Sequence, residues 1–195
     1  MNKLLLLFLA LPFASSAQTL VPPNPDAPKL NEVTQWKAIK MAPSKDSLAK
    51  VYNTDSVASG YAISGQFNRI VMMRFKYQTD LLQGIQKGVE QEGIRNAVIL
   101  TGMGSLTSHH AHAVSNTSFP SKNKYYKADE PDDLVSITGF EIDGVVHAHI
   151  VFSNEVKAKG GHLESGTKVF TFAGIAFGVL DDKTSLRHLD NKNWR

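Results

Sequence analysis

The stretch "LVSITGFEIDGVVHAHIVFS", Leu134 to Ser153, reads as two strands folded about Asp143-Gly144. Asp-Gly is a strong two-residue hairpin signal, because both central residues of that turn must take positive φ. Closing the hairpin there sets Phe140 opposite His147 and Thr138 opposite His149. Strand alternation then sorts the side chains. Val135, Ile137, Ala148, Ile150 and Phe152 point one way and make a core face, while Ser136, Thr138, Phe140, His147, His149 and Val151 make a half-polar wall. The second half of the chain is therefore expected to be antiparallel sheet with one face covered.

Downstream, Val169 to Leu180 is apolar almost throughout and suits a central strand covered on both sides. Upstream, Arg69 to Tyr77 is rich in branched and aromatic residues and reads as a strand. A helix follows: Asp80 is placed to cap the amide of Gln83, Leu82, Ile85 and Val89 recur at helical spacing, and Gly93 stands where the helix should stop. Ala97 to Leu100 reads as a short buried strand ended by a tight turn, Gly102-Met103-Gly104-Ser105. Strand, helix, strand in that order predicts a crossover packed on one face of the sheet. The fold class expected is α/β in the α+β sense: a mainly antiparallel sheet with a packed helix, in one domain over residues 60–182.

The ends of the chain read differently. Met1-Asn2-Lys3, the apolar run Leu4 to Leu11 and Ser15-Ser16-Ala17 have the form of a secretory signal peptide cleaved after Ala17. The run falls well short of the roughly 20 residues that span a bilayer, so the mature protein is expected to be exported, periplasmic or secreted, without a transmembrane segment. Residues 18–59 form a proline-rich arm, Val21 to Pro28, and a polar lead-in without sustained periodicity. Residues 183–195 read as a polar tail in which Trp194 has no assigned role and His188 is exposed. Of 195 residues 42% are hydrophobic and 20% charged, which rules out disorder throughout. The absence of cysteine excludes disulfides and thiol chemistry, and leaves histidine and carboxylate as the strong metal ligands. The formal charge of +3, one unit of it Lys3, is scattered rather than gathered into a basic patch.

The chemistry concentrates in "HAHIVFSNEVKAKGGHL", His147 to Leu163. His147 and His149 share a strand face, with α-carbons roughly 6.5 Å apart. If Asn154-Glu155 makes the next turn, His162 lies across from His147; a four-residue loop, Asn154 to Lys157, pairs it with His149 instead. Both registers bring three imidazoles to one side, and Gly160 and Gly161 would clear space beside an ion. Three histidines with a fourth position open is the set that zinc uses when it acts as Lewis acid or hydroxide source. Glu164 shares the face of His162 and is the local candidate for a fourth ligand or general base. Glu141 and Glu155 belong to turns, where solvation explains them. His109, His110 and His112 read as part of a solvated strand, although His110 and His112 share a face and could line the same pocket from a neighbouring strand.

The segments "TDLLQGIQKGVEQEGIRNAVILTGMGSL", "HAHI" and "GGHLESGTKVFTFAGIAFGVL" together resemble the PPC domain (plants and prokaryotes conserved), over about Arg69 to Leu180. The resemblance implies an α/β domain on a mainly antiparallel sheet with a packed helix, a homotrimer, and a metal, zinc, on the histidines matching His147, His149 and His162. The fold implied is also similar to that of acetolactate decarboxylase, a metal enzyme with a three-histidine set. The decarboxylase's acid and arginine residues have no match here, so its reaction is not carried over. Plant relatives bind DNA through a separate Arg-Gly-Arg-Pro element that this chain lacks, and an exported protein meets no chromatin. The expectation is thus an exported zinc-binding homotrimer that binds or processes a small molecule. A non-catalytic scaffold or partner-binding trimer is the alternative, and a DNA-binding module the remoter one.

Overall fold

The computed structural model describes residues 60–189, together with the strand Val33–Gln35; residues 1–17, expected to form a signal peptide, the proline arm and Trp194 lie outside the described residues. In chain order the elements are β1 (Val33–Gln35), β2 (Tyr61–Ile63), β3 (Phe67–Lys76), α1 (Leu81–Gln91), β4 (Ala97–Val114), β5 (Asn123–Ala128), β6 (Asp132–Ile142), β7 (Val145–Ser153), β8 (Ala158–Leu163) and β9 (Lys168–Leu180). Among the described residues the fold is a seven-stranded sheet, antiparallel between hydrogen-bonded neighbours, with one helix packed on it, and a separate two-stranded sheet of β1 and β2. No helix among the described residues is long and apolar enough to cross a membrane.

The helix begins where the side chain of Asp80 accepts a hydrogen bond from the Gln83 amide at 3.2 Å, satisfying one of the donors that every helix start leaves open. Its Leu81, Ile85 and Val89 are buried against the sheet face carrying Met73, Phe75, Ile175 and Phe177. Strand β9 lies between β3 and β4 and is antiparallel to both. Strands β3 and β4 are therefore parallel, and the crossover through α1 spans one inserted strand.

The Asp143-Gly144 turn closes the β6–β7 hairpin with φ of 52° and 82°, and the pairs Thr138–His149 and Phe140–His147 are formed. Register slips between Leu134 and Ser136. That bulge turns Leu134 into the core and leaves Val135 54% exposed, correcting its expected inward face. Glu141 is the second correction. Placed beside a turn and expected to be solvated, it faces inward opposite Ala97 and Val146, fully buried. Neither carboxylate oxygen has a hydrogen-bond partner among the described residues, and burial pushes its pKa up to about 8.

The largest difference is β4. Gly102 to Ser105 is not a turn but the interior of an 18-residue strand. A side chain on Gly102 would put its β-carbon 2.4 Å from Cγ2 of Ile137, so glycine is there for close packing rather than for chain reversal. Extended in this way, β4 pairs with β6 and β9 along its first part and with β5 and β8 along its second. Because β6, β7 and β8 also pair in sequence, strands β4, β6, β7 and β8 form a closed circuit. The lead-in is likewise not all irregular, since Val33–Gln35 pairs with β2. The tail is more than a polar surface, because Thr184 and Leu186 are buried.

Candidate metal centre

The β7–β8 connection is the four-residue loop, with the Asn154 amide donating to the Lys157 carbonyl at 2.9 Å. His149 therefore pairs with His162. No bulge interrupts this register at Gly160-Gly161. On the other side of β8, His162 pairs with His112 of β4. A transverse row results across β4, β8, β7 and β6: His112, His162, His149, Thr138, with His147 two residues along from His149.

The three histidines singled out by hairpin parity are neighbours on one face, although their donor atoms, unlike those of the two groups described below, do not all lie within 4.8 Å of one another. Ring centroids lie 5.8 Å apart for His147 and His149, 5.0 Å for His147 and His162, and 5.3 Å for His149 and His162. The Nδ1 of His162 faces the Leu163 carbonyl at 3.0 Å. A carbonyl only accepts, so this nitrogen carries the proton and Nε2 keeps its lone pair. The pKa values of His149 and His162 are lowered, by burial first and then by the charges of His147 and His112. Lowered values keep these imidazoles neutral near pH 7, the form that ligates metal.

His112, expected on a solvated strand, belongs to this cluster. Its ring stacks on His162 at 4.7 Å, and its Nδ1 lies 2.6 Å from Oε1 of Glu164. Donor atoms of His112, His162 and Glu164 all fall within 4.8 Å of one another, so they form a competing set of metal ligands. The 2.6 Å contact argues against that set, because two donors on one tetrahedral zinc stand about 3.3 Å apart when each bond is about 2.05 Å. Glu164 is engaged as a hydrogen-bond acceptor for His112. The signal that identifies His112 in the sequence is its parity with His110 on a strand that does not end at Gly102.

Two cavities flank the cluster. One, of about 690 Å³, is lined by His112, His147, His149 and His162 with Asn123 and Ser121; the other, of about 480 Å³, is more apolar and brings Val98, Phe140, Ile142 and Leu189 to His147 and His149.

A second group, His109, Glu130 and Asp132, also has donor atoms within 4.8 Å of one another. His109 and Asp132 are buried on the opposite face of β4, correcting the solvated reading of that segment. Their bond is 2.7 Å long. Asp132 accepts from Asn154 at 3.0 Å and Lys157 lies 2.6 Å from Glu130. The carboxylates are thus already matched by donors and a cation, which makes the group a structural network rather than a vacant ligand set. The Lys157 hydrogen bond is also the main reason that the Glu130 pKa is lowered.

The family model of the Plants and Prokaryotes Conserved (PCC) domain matches residues 62–181. No curated protein matches the sequence. Among solved structures, a metal-containing protein from Archaeoglobus fulgidus is 23% identical with a TM-score of 0.52, covering 63% of this chain and 94% of its own. A plant- and prokaryote-conserved protein from Pyrococcus horikoshii is 24% identical with a TM-score of 0.52, covering 60% of this chain and 82% of its own. The α-acetolactate decarboxylase of Bacillus subtilis strain 168 is similar at 12% identity and a TM-score of 0.41, over 69% of this chain and 65% of its own. The first two likenesses establish a shared fold; the third is too distant to carry an argument.

Proposed function

The chain belongs to the PCC domain family, and from that premise we propose that it is an exported, zinc-binding homotrimer whose His147, His149 and His162 hold the ion beside a cavity for a small molecule. The carrying observation is the spacing of the three rings. With each nitrogen about 2.05 Å from a tetrahedral zinc and each ring centre about 1.1 Å behind it, ring centroids should stand about 5.2 Å apart. The observed separations of 5.0, 5.3 and 5.8 Å bracket that value. The neutral state favoured for His149 and His162 and the Nδ1 hydrogen bond of His162 suit the same role. The metal-containing relative from Archaeoglobus lends support from the same fold.

A bound zinc ion would supply Lewis acidity or hydroxide at its open position. The chain supplies the surroundings: Thr138 and Phe140 wall the site from β6, and the two cavities give a ligand a polar and an apolar approach. Export is supported by the leader-like residues 1–17. The trimer is supported by a sheet face that the helix does not cover. On that face Ile70, Gly178, Val98, Phe140 and His147 pair across five adjacent strands. Ile70, Met72 and Met103 there are 56%, 73% and 64% exposed, an apolar surface of the kind that subunit contacts bury.

Protein recovered from the cell envelope should carry one zinc per chain by elemental analysis and sediment as a trimer. Metal-free protein that gains no thermal stability from added zinc, and whose His147→Ala and His162→Ala variants behave as the parent does, would overturn the metal reading.

A further inference from the structure

His112 and Glu164 have no part in the proposed ligand set, yet their geometry is unusually constrained. The His112 ring lies between Tyr125, at 4.9 Å, and His162, at 4.7 Å and 18° between planes. Its Nδ1 is held 2.6 Å from the Glu164 carboxylate. A carboxylate accepts, so in the neutral ring Nδ1–H donates and the lone pair lies on Nε2. His112 stands beside His162 of β8 but one strand further from His147 and His149 of β7, while it lines the cavity shared by all three. That position suits contact with a ligand on the ion rather than with the ion.

Resting on the three-histidine reading, we propose that His112 is a specificity-determining residue: its Nε2 accepts a hydrogen bond from the small molecule bound beside the metal. The site then selects compounds that carry a hydroxyl or N–H next to their metal-binding atom, over compounds that offer only acceptors. Glu164 is the positioning residue that holds the tautomer, and the flanking rings of Tyr125 and His162 hold the plane. No proton leaves either residue in this role.

Cobalt(II) provides the test, read by its visible absorbance without any assay of activity. The cobalt-loaded full-length protein is titrated with acetohydroxamate, which carries N–H and O–H donors, and with acetate, which carries none. His112→Ala should still take one cobalt per chain and weaken acetohydroxamate about tenfold, the loss of one good hydrogen bond. Acetate affinity should stay within about twofold, since it has no donor to lose. Glu164→Gln, which keeps the ring but weakens the bond that orients it, should fall between. Equal losses for the two probes, no loss for either, or loss of cobalt from His112→Ala would each overturn the assignment. If the parent protein takes no cobalt, the three-histidine reading itself fails and this one with it; cobalt binding with an unselective His112→Ala variant overturns only the second.

Discussion

Two histidines three residues apart on β4 meet carboxylates in nearly the same way and come to opposite ends. His109 sits 2.7 Å from Asp132, His112 sits 2.6 Å from Glu164. Strand parity sends the first inward, where its ring stacks on Phe152 at 4.1 Å and is 2% exposed. It sends the second outward onto His162 and a cavity. A histidine–carboxylate pair is therefore no mark of function by itself. What distinguishes the two is what surrounds the ring: packed core for His109, other imidazoles and open volume for His112.

The sharpest way to break this contrast is to remove His109. His109→Ala leaves Asp132 buried with Asn154 as its remaining partner, and losing one member of a buried pair costs about 3–5 kcal/mol. Denaturant unfolding should show that loss while metal stoichiometry stays at the parental value; a cost under about 1 kcal/mol would deny the pair its structural role. Across the strand, His162→Ala should do the reverse. Zinc affinity should fall at least about 100-fold, beyond the range seen for groups that only support a ligand, with metal-free stability changed by no more than about 1 kcal/mol because the side chain is only half-buried.

The two buried acids of β6 refine the comparison, since Asp132 has hydrogen-bond partners and Glu141 has none among the described residues. Glu141 has a folded-state pKa of about 8 against an ordinary 4.5, so folding favours its protonated form. Its contribution to stability is fully present below about pH 4.5, falls as pH rises, and levels off above about pH 8. Glu141→Met removes the penalty and should stabilise the protein by about 2–3 kcal/mol at pH 7, with the gain shrinking toward pH 5. A gain independent of pH would show that repacking, not ionisation, is responsible.

The hairpin, the capped helix and the placing of His147, His149 and His162 on one face were legible because turn chemistry and strand parity act over short distances. Parity failed where long-range packing intervened. Gly102 to Ser105 has the composition of a turn, but its glycines admit neighbouring strands at close range. Misplacing that stretch truncated β4 and hid the pairing of His112 with His162. Val135 was misassigned by one bulge, and Glu141 because local sequence does not show that α1 and the flanking strands close over the end of a hairpin. Asp132 as the partner of His109 depends on β4 pairing with β6 as far as Leu106–Asp132 and then running on past residue 108 beside β5, a register that local patterning does not encode.

The smallest expected effect on stability is the most direct test of the opening contrast, because it compares like with like. Asp132→Asn and Glu164→Gln each replace a carboxylate that faces a histidine Nδ1 by an amide of nearly equal size. At the buried site no solvent compensates: Asp132 is 5% exposed and holds both His109 and Asn154, so the amide must satisfy partners chosen for an anion. At the open site Glu164 keeps 24% of its side chain in solvent, and water can replace what the amide loses. Glu164→Gln should therefore cost less than about 1 kcal/mol, the range of exposed pairs, while Asp132→Asn costs about 2 kcal/mol or more. Equal costs would mean that His112 and Glu164 are a second structural strut and that the cavity beside them is incidental. Unequal costs, with ligand selectivity disturbed only by Glu164→Gln, would leave β4 as one strand carrying a strut on its inner face and a recognition element on its outer face.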